Sequence, residues 1–489
     1  MDSPRSWAGV AMMSARPPLS DLVAPDGLGA LPAGRLERLT GKPPGAWDIE
    51  DLVAVFLSTE ARLVSLMHVG DDGWLKTLDF VPRDLDHLRA VLAAGERADG
   101  SSLFRAMGIR SEASDILLRP RVDTAFLDPF ARVPTLVLLC DHAGRDGRPL
   151  PESPTTLVRA AYERVRAETG VDLHALGEVE YFLGRRSHEA DIYGADDRGY
   201  HAASPFVFGE ALRREALLIL AEIGVPVKYG HSEVGYVEAV PQDGAPGMIW
   251  EQHEIELALS PLPAAADAVL LTQWVLRNLA HAGDLLCSFA PILMAGHAGS
   301  GLHVHLAPVR DGEQRGGRGA SGRLHDEAEW LIAGLVQLGG ALMAFGNRSE
   351  GSFVRLTQGK EAPNAICWGE FDRKALVRLP ITVTTAGGEV AAAPTVEFRL
   401  ADGSAHPHLL LAGLAQAMLH GRACADRHAL FELTRSGRGA AAGAAQVPRS
   451  FAAIADELRR HRGALEAGGV FPPHVLDAVL GALAAAGPA

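Results

Sequence analysis

A chain of 489 residues, 47% of them hydrophobic, has ample apolar surface for a large core and is too long for one ordinary domain. Its formal net charge of −14 excludes general binding to nucleic acid or to an anionic membrane, since a polyanion is repelled everywhere except at a local basic cleft. The four cysteines, Cys140, Cys287, Cys367 and Cys424, lie far apart without C-x-x-C spacing; they suggest neither a zinc site nor a disulfide framework and fit a reducing cytoplasm.

Residues 1–47 are rich in Pro, Gly and Arg, with one short apolar run from Trp7 to Met13, and read as a flexible N-terminal extension without a signal-peptide core. Residues 48–145 read as a small α+β domain. Strand-like runs at Leu52–Leu57, Arg62–His68, Trp74–Phe80 and Thr135–Cys140 surround one helical run, Asp84–Ala94. The turn-rich stretch Gly144-Arg145-Asp146-Gly147-Arg148-Pro149 then leads to a helix near Pro154–Thr169 and into a large domain, residues 146–489. Within it, Gly209–Ile223 is a predicted helix whose apolar face carries Leu212, Ala216 and Ile219, ended by Gly224 and Pro226. The apolar stretch Ala264–Gly296 is interrupted by Asp267, Arg277 and Asp284, so its stripe of Leu271, Trp274, Val275 and Leu279 predicts a core helix and not a membrane span. Further helices are predicted over Glu327–Ala344, Pro407–Leu419 and Ala452–Arg462.

The most informative residues are Glu178, Glu180, Glu233, Glu254, His303 and Glu397, each beside a strand-like run. In Gly177-Glu178-Val179-Glu180-Tyr181-Phe182-Leu183 polar and apolar residues alternate, which puts both glutamates on one strand face and leaves the other for the core. Leu302-His303-Val304-His305-Leu306 repeats the device with imidazoles, and Glu397-Phe398-Arg399 with one anion and one cation. Such donors suit Mg²⁺ or Mn²⁺, which bridge protein carboxylates to substrate phosphates, and the set suffices for two such ions. Taken singly, an E-x-E strand is more often a solvated face, a lone His a core residue, and Asp99-Gly100 a turn. The balance moves because Arg355, Arg373, Arg378 and Arg399 cluster in the segment that holds Glu361 and Glu397, and guanidinium groups match carboxylate and phosphate oxygens. That combination points to phosphoryl transfer.

Taken in order, these residues resemble the glutamine synthetase family over nearly the whole chain after the extension. Asp99-Gly100-Ser101-Ser102 is similar to its D-G-S-S loop, Gly177 to Phe182 to its G-x-E-x-E-F strand, and His231-Ser232-Glu233-Val234 to its H-H-E-V segment. Glu251-Gln252-His253-Glu254 resembles G-Q-x-E, and Gly299-Ser300-Gly301-Leu302-His303-Val304-His305 resembles G-S-G-M-H-x-H. Arg355-Leu356, Glu361-Ala362-Pro363, Arg373, Arg378-Leu379-Pro380, Glu397-Phe398-Arg399 and Asp402 follow in the family's order.

The resemblance implies an α+β fold: a β-grasp domain, then a catalytic domain built around a curved antiparallel sheet, assembled as a homo-oligomer of stacked rings with each active site between subunits. It implies an ATP-dependent ligase in which the γ-carboxylate of glutamate takes the terminal phosphoryl group of ATP and ammonia displaces phosphate. Glu180, Glu233 and Glu254 would hold one metal near the amino acid, and Glu178, His303 and Glu397 the other on the ATP phosphates. Asp99, contributed to the next subunit, would deprotonate ammonium, Glu361 would close a flap, and Arg373 and Arg399 would stabilise the transferring phosphoryl group. Ser102, Glu180, Tyr200, Gly299 and Arg355 would bind substrate, and Lys228, His305 and Arg378 the nucleotide.

This sequence departs from the family's pattern in several places. Ala298 stands where the family usually has Asn, Lys228 where it is often acidic, and Ala307 where it is often Ser. Tyr236–Trp250 is longer than usual and is expected to loop out between two metal-ligand strands. Ala298 and that segment motivate a second reading, a ligase joining glutamate to an organic amine such as a polyamine or ethanolamine. A third, a non-catalytic ring-forming scaffold, is opposed by the complete ligand set. No tyrosine follows Tyr236, so adenylylation of a C-terminal tyrosine, as in some bacterial members, cannot operate.

Overall fold

Alternating apolar and polar residues sort the strands into two sheets in the computed structural model, which describes residues 34–187, 197–239, 247–319, 321–358, 360–388, 390–436 and 445–487. The smaller sheet holds β1 (Leu63–Val69), β2 (Leu75–Phe80), β3 (Glu96–Asp99), β4 (Asp115–Pro120), β5 (Phe126–Leu127) and β6 (Thr135–Ala143). Its order is β2-β1-β6-β4-β3, with β5 also on β6 and with β1 running parallel to β6. Almost every residue of β6 is buried, because the strand has a core on each side. Leu136, Leu138 and Cys140 pack with Leu52, Leu66 and Leu88, while Val137 and Leu139 pack with Val179, Leu183 and Leu276 of the large domain. One strand therefore glues the small sheet to the rest of the chain.

Two elements near the N-terminus differ from expectation. Leu52–Leu57, read as strand-like, lies in a helix, Ile49–Ser58. Asp48 accepts from the Asp51 N–H at 2.9 Å and Asp51 returns the bond to the Asp48 N–H at 3.0 Å, a capping box that outweighs the β-branched residues. Within the stretch assigned to the extension, Arg35–Thr40 also forms a helix, tied to the large domain by Arg38 Nη2 on Glu222 Oε2 at 3.0 Å.

The larger sheet runs β14-β15-β16-β12-β7-β9-β8. Its strands are β7 (Asp172–Arg186), β8 (Val227–Ala239), β9 (Met248–Leu257), β10 (Ser260–Pro261), β11 (Leu286–Ser288), β12 (Leu302–Arg310), β13 (Glu313–Gln314), β14 (Trp368–Glu370), β15 (Val377–Leu379) and β16 (Val396–Phe398). β10 and β11 add to β7, and β13 to β12; the recorded pairings are antiparallel except β14 with β15. The Tyr236–Trp250 segment does not leave the sheet at Tyr236: β8 and β9 stay paired out to Ala239 opposite Met248, and residues 240–246 lie outside the described residues.

The helices expected at Pro154–Thr169, Gly209–Ile223, Glu327–Ala344, Pro407–Leu419 and Ala452–Arg462 are present as Pro154–Thr169, Glu210–Glu222, Asp326–Gly346, Pro407–Arg422 and Phe451–Glu466. The stripe Leu271, Val275 and Leu279 is buried in Leu262–Ala282. Among the described residues, Asp326–Gly346 is the one helix long and apolar enough to cross a membrane, and it lies buried in the core against Pro407–Arg422. Those two helices approach so closely that a Cβ on Gly334 would stand 1.7 Å from Ala417 O, and one on Gly421 would stand 2.0 Å from Trp330 O. A buried ion pair joins the domains: Asp267 receives Arg121 Nη2 at 2.7 Å and His408 Nε2 at 2.9 Å. Burial opposes ionisation of Asp267, but Arg121 and His408 outweigh it and lower its carboxyl to about 2.

Because a backbone carbonyl cannot yield to a methyl group, Gly334→Ala is expected to destabilise the fold by about 3 kcal/mol. Chemical denaturation followed by circular dichroism measures this, and an unchanged midpoint would refute the helix contact.

Candidate active site

Strand register builds the site before any side-chain contact is considered. On adjacent antiparallel strands, opposed residues share a face with Cβ atoms about 5 Å apart. Across β8, β9, β7 and β12 the opposed residues are Tyr229, Glu256, Glu178 and His303. One step along, His231, Glu254 and Glu180 form a second row, and across β12, β16 and β15 stand His305, Glu397 and Arg378. Glu233 belongs to no row, because the β8–β9 register shifts between Ser232 and Tyr236, a bulge that re-aims its side chain.

These rows line a cavity of about 740 Å³. Its wall contains Glu178, Glu180, Tyr200, Lys228, Glu233, Glu254, Gly299, His303, His305, Arg355, Glu361, Arg373, Arg378 and Arg399, so most of the sequence-predicted site residues converge. Glu397 lies directly beneath, fully buried, with Arg378 Nη1 on Oε2 at 2.9 Å and Arg399 on Oε1. Glu361 stands more exposed, with Arg373 Nη1 at 3.4 Å from its carboxylate.

Donor atoms gather in three places. Glu178, His303 and Glu397 offer ligand atoms within 4.8 Å of one another, the trio expected from the sequence. The second expected trio is arranged differently: Glu233 and Glu254 group with His231, whose Nε2 is 3.3 Å from Glu254. Glu180 is instead held by Gln252 Nε2 at 2.8 Å and the Gly301 N–H at 2.9 Å. Glu178, Glu254 and Glu256 form the third group. Sequence reasoning missed His231 and Glu256 as site residues, although Glu254-Ile255-Glu256 repeats the E-x-E spacing that drew attention to Glu178 and Glu180.

Burying so many acids together shifts their ionisation. Burial pushes Glu180 up to about 7, and burial followed by the charge of Glu180 does the same for Glu233. Burial and then Glu178 and Glu180 raise Glu254 well above the usual carboxylate range. Glu178 moves the other way: burial opposes its ionisation, but His305 Nε2 at 2.9 Å and His303 Nδ1 at 2.6 Å hold it low. His303 drops to about 4 through burial and the neighbouring Arg399, which leaves it a neutral imidazole. Hard oxygen donors, a neutral imidazole and carboxylates that resist ionisation for want of counter-charge are what a divalent cation such as Mg²⁺ or Mn²⁺ fits.

Two predicted residues stand apart from this cluster. Asp99 and Ser102 lie on the small domain and do not line the cavity of their own chain. Asp99 is exposed and accepts from Ser102 Oγ at 2.6 Å and Ser101 Oγ at 2.7 Å, bonds that hold its carboxyl low. Within the cavity, Lys228 is paired with Glu256 at 2.7 Å, and the ring of Tyr200 stacks on His201 with centroids 4.2 Å apart. Gly299 is required where it stands, since a Cβ there would meet Pro291 O at 2.4 Å.

Comparison with known proteins agrees with this geometry. Residues 151–480 match the family described as glutamine synthetase, catalytic domain. A glutamine synthetase of Azotobacter vinelandii is 30% identical over 469 residues, covering 86% of this chain and 92% of that one. A 3-hydroxylaminophenol mutase of Cupriavidus pinatubonensis is also 30% identical, over 432 residues, covering 79% and 85%. Among solved structures, Plasmodium falciparum glutamine synthetase superimposes with a TM-score of 0.74 at 18% identity, covering 90% of this chain and 95% of that one; it shares the fold.

The raised carboxylates give a pH signature. Without a cation, the folded chain holds protons on Glu180 and Glu233 between the ordinary value of 4.5 and about 7, where the unfolded chain has released them. Stability without metal is therefore expected to fall as pH rises through that window, and Mn²⁺ binding to release about one proton or more near pH 6. Calorimetry in buffers of different ionisation enthalpy measures the release; none at pH 6 would contradict the shifts.

Proposed function

The chain belongs to the glutamine synthetase family of ATP-dependent ligases, and we propose that it forms glutamine from glutamate and ammonia through a γ-glutamyl phosphate. The observation that carries this reading is the trio Glu178, His303 and Glu397 with Arg378 and Arg399 on the same buried carboxylate. Donors for cations and guanidinium groups for phosphate oxygens thus stand side by side. Bound there, Mg²⁺ or Mn²⁺ would neutralise charge on the ATP phosphates and on the transferring phosphoryl group. Glu178, His303 and Glu397 would hold the one nearer the nucleotide, and Glu180, Glu233 and Glu254, with His231 beside them, the one nearer the amino acid.

Carboxylate and ammonia do not condense in water, so the γ-carboxylate must first become an acyl phosphate. In that step Arg373 and Arg399 stabilise the charge on the phosphoryl oxygens, and Arg355, buried in the wall, clamps the substrate α-carboxylate beside Gly299. Lys228, His305 and Arg378 hold the nucleotide end. Tyr200 lines the ammonium pocket. Asp99 and Ser102 reach it from a neighbouring subunit of a stacked-ring homo-oligomer, which accounts for their absence from the cavity of their own chain. Asp99 is ionised and so able to bind ammonium, and the serine hydrogen bonds that hold its carboxyl low must give way before it takes the proton. Glu361, at the cavity mouth, closes over the acyl phosphate and keeps water from it. The enzyme works in the cytoplasm.

A second reading, an organic amine in place of ammonia, is favoured by Ala298 and by the longer β8–β9 segment. The assay that separates the two supplies ATP, glutamate and Mn²⁺ and compares phosphate release with ammonium against polyamines and ethanolamine. Turnover with ammonium supports the first reading; turnover with amines alone supports the second; silence with every acceptor leaves the ring-forming scaffold. Glu397→Ala is expected to lower turnover at least ~100-fold without changing assembly as judged by sedimentation. Turnover near wild type in that variant would remove Glu397 from the mechanism.

A further inference from the structure

Asp197 lines the same cavity three residues before Tyr200, with a side chain only 14% exposed. Its backbone is left-handed, φ 52°, a conformation that Asp and Asn enter more readily than other non-glycine residues. The carboxylate meets the Ala298 N–H, which lies 3.2 Å from Oδ1 and 3.1 Å from Oδ2. The next residue, Gly299, lies against Arg355, since a Cβ there would stand 3.1 Å from Arg355 Cγ. A carboxylate and a guanidinium group therefore flank the dipeptide Ala298-Gly299 in one cavity wall.

Asp197 already holds an ammonium group. Lys360 Nζ sits on its Oδ2 at 3.1 Å, from a side chain 47% exposed. A pair with one partner in solvent is weak, and its long flexible side chain is readily displaced by a better-placed cation. We propose that Asp197 receives the α-ammonium of the amino-acid substrate, displacing Lys360, and so selects an α-amino acid over the corresponding acid without the amino group. This rests on the ligase reading above, in which Arg355 takes the α-carboxylate. An α-amino acid carries both charges on one carbon, and Asp197 with Arg355 offers the opposite charge to each. Ala298 has no polar side-chain atom for that group, and the Asp197 carboxylate stands against its N–H, where it can take that role. A substrate lacking the ammonium leaves the carboxylate without its ligand contact, the situation in which a polar site discriminates most.

Asp197→Asn tests this, because the amide keeps an acceptor for Ala298 and tolerates the same backbone while losing the charge. Phosphate release is measured with ATP, Mn²⁺ and ammonium, with L-glutamate or glutarate as the acid. Wild type is expected to prefer L-glutamate; the variant is expected to lose at least ~10-fold in kcat/KM for L-glutamate while glutarate is unchanged, so that preference collapses. An unchanged preference, or an equal loss on both acids, overturns the proposal, since a merely structural role lowers both. If the wild-type protein is silent with both acids and every acceptor, the ligase reading falls. Asp197 is then judged by calorimetry of L-glutamate binding with a non-hydrolysable ATP analogue, where equal affinity of variant and wild type, or no binding to either, overturns it.

Discussion

Crowding Glu178, Glu180, Glu233, Glu254, Glu256 and Glu397, all buried or half-buried, into one wall is the constraint from which the rest of this structure follows. Like charges in a low-dielectric setting cannot all ionise unless cations join them. Part of the compensation is built in: Arg378 and Arg399 satisfy Glu397, Lys228 satisfies Glu256, and the two histidines satisfy Glu178. Glu180, Glu233 and Glu254 keep raised carboxyls. The imbalance is local, and it is the property that suits the site to divalent cations.

The fold holds that imbalance in place. Antiparallel register fixes which acids face one another, and a slip of one residue would turn each row to the opposite face of the sheet. The helices that prevent such a slip pack as closely as Gly334 and Gly421 allow, and they form one core with the apolar faces of β12, β15 and β16. β6 joins the small sheet to this body through its second face, reinforced by Arg121 and Asp267. Rigidity in the scaffold thus serves the charges it has to hold close together.

Relatives at about 30% identity carry different names for their activities, so membership of the family does not by itself fix the substrate. Two departures from the family's pattern line the cavity: Ala298, whose N–H meets Asp197 with Lys360 beside it, and Lys228, which is paired with Glu256.

Local pattern was enough to read the E-x-E and H-x-H strands and the amphipathic helices, because each rests on spacing along the chain, whereas the trio Glu178, His303 and Glu397 followed from the family resemblance and from no spacing. Helix Ile49–Ser58 was misread because β-branched residues hid a capping box whose first residue was in view. His231 joined Glu233 and Glu254, and Glu180 turned to Gln252 and Gly301, only once a bulge in β8 and the pairing of β7 with β9 had set distances between residues far apart in sequence. Asp197 meets Ala298 across about a hundred positions, a contact no periodicity encodes. The sequence by itself determined the residue types, the faces they occupy and so the kind of chemistry. Tertiary structure alone decided which charges neutralise one another, because cross-strand register and side-chain reach are properties of the packed sheet and not of any single strand.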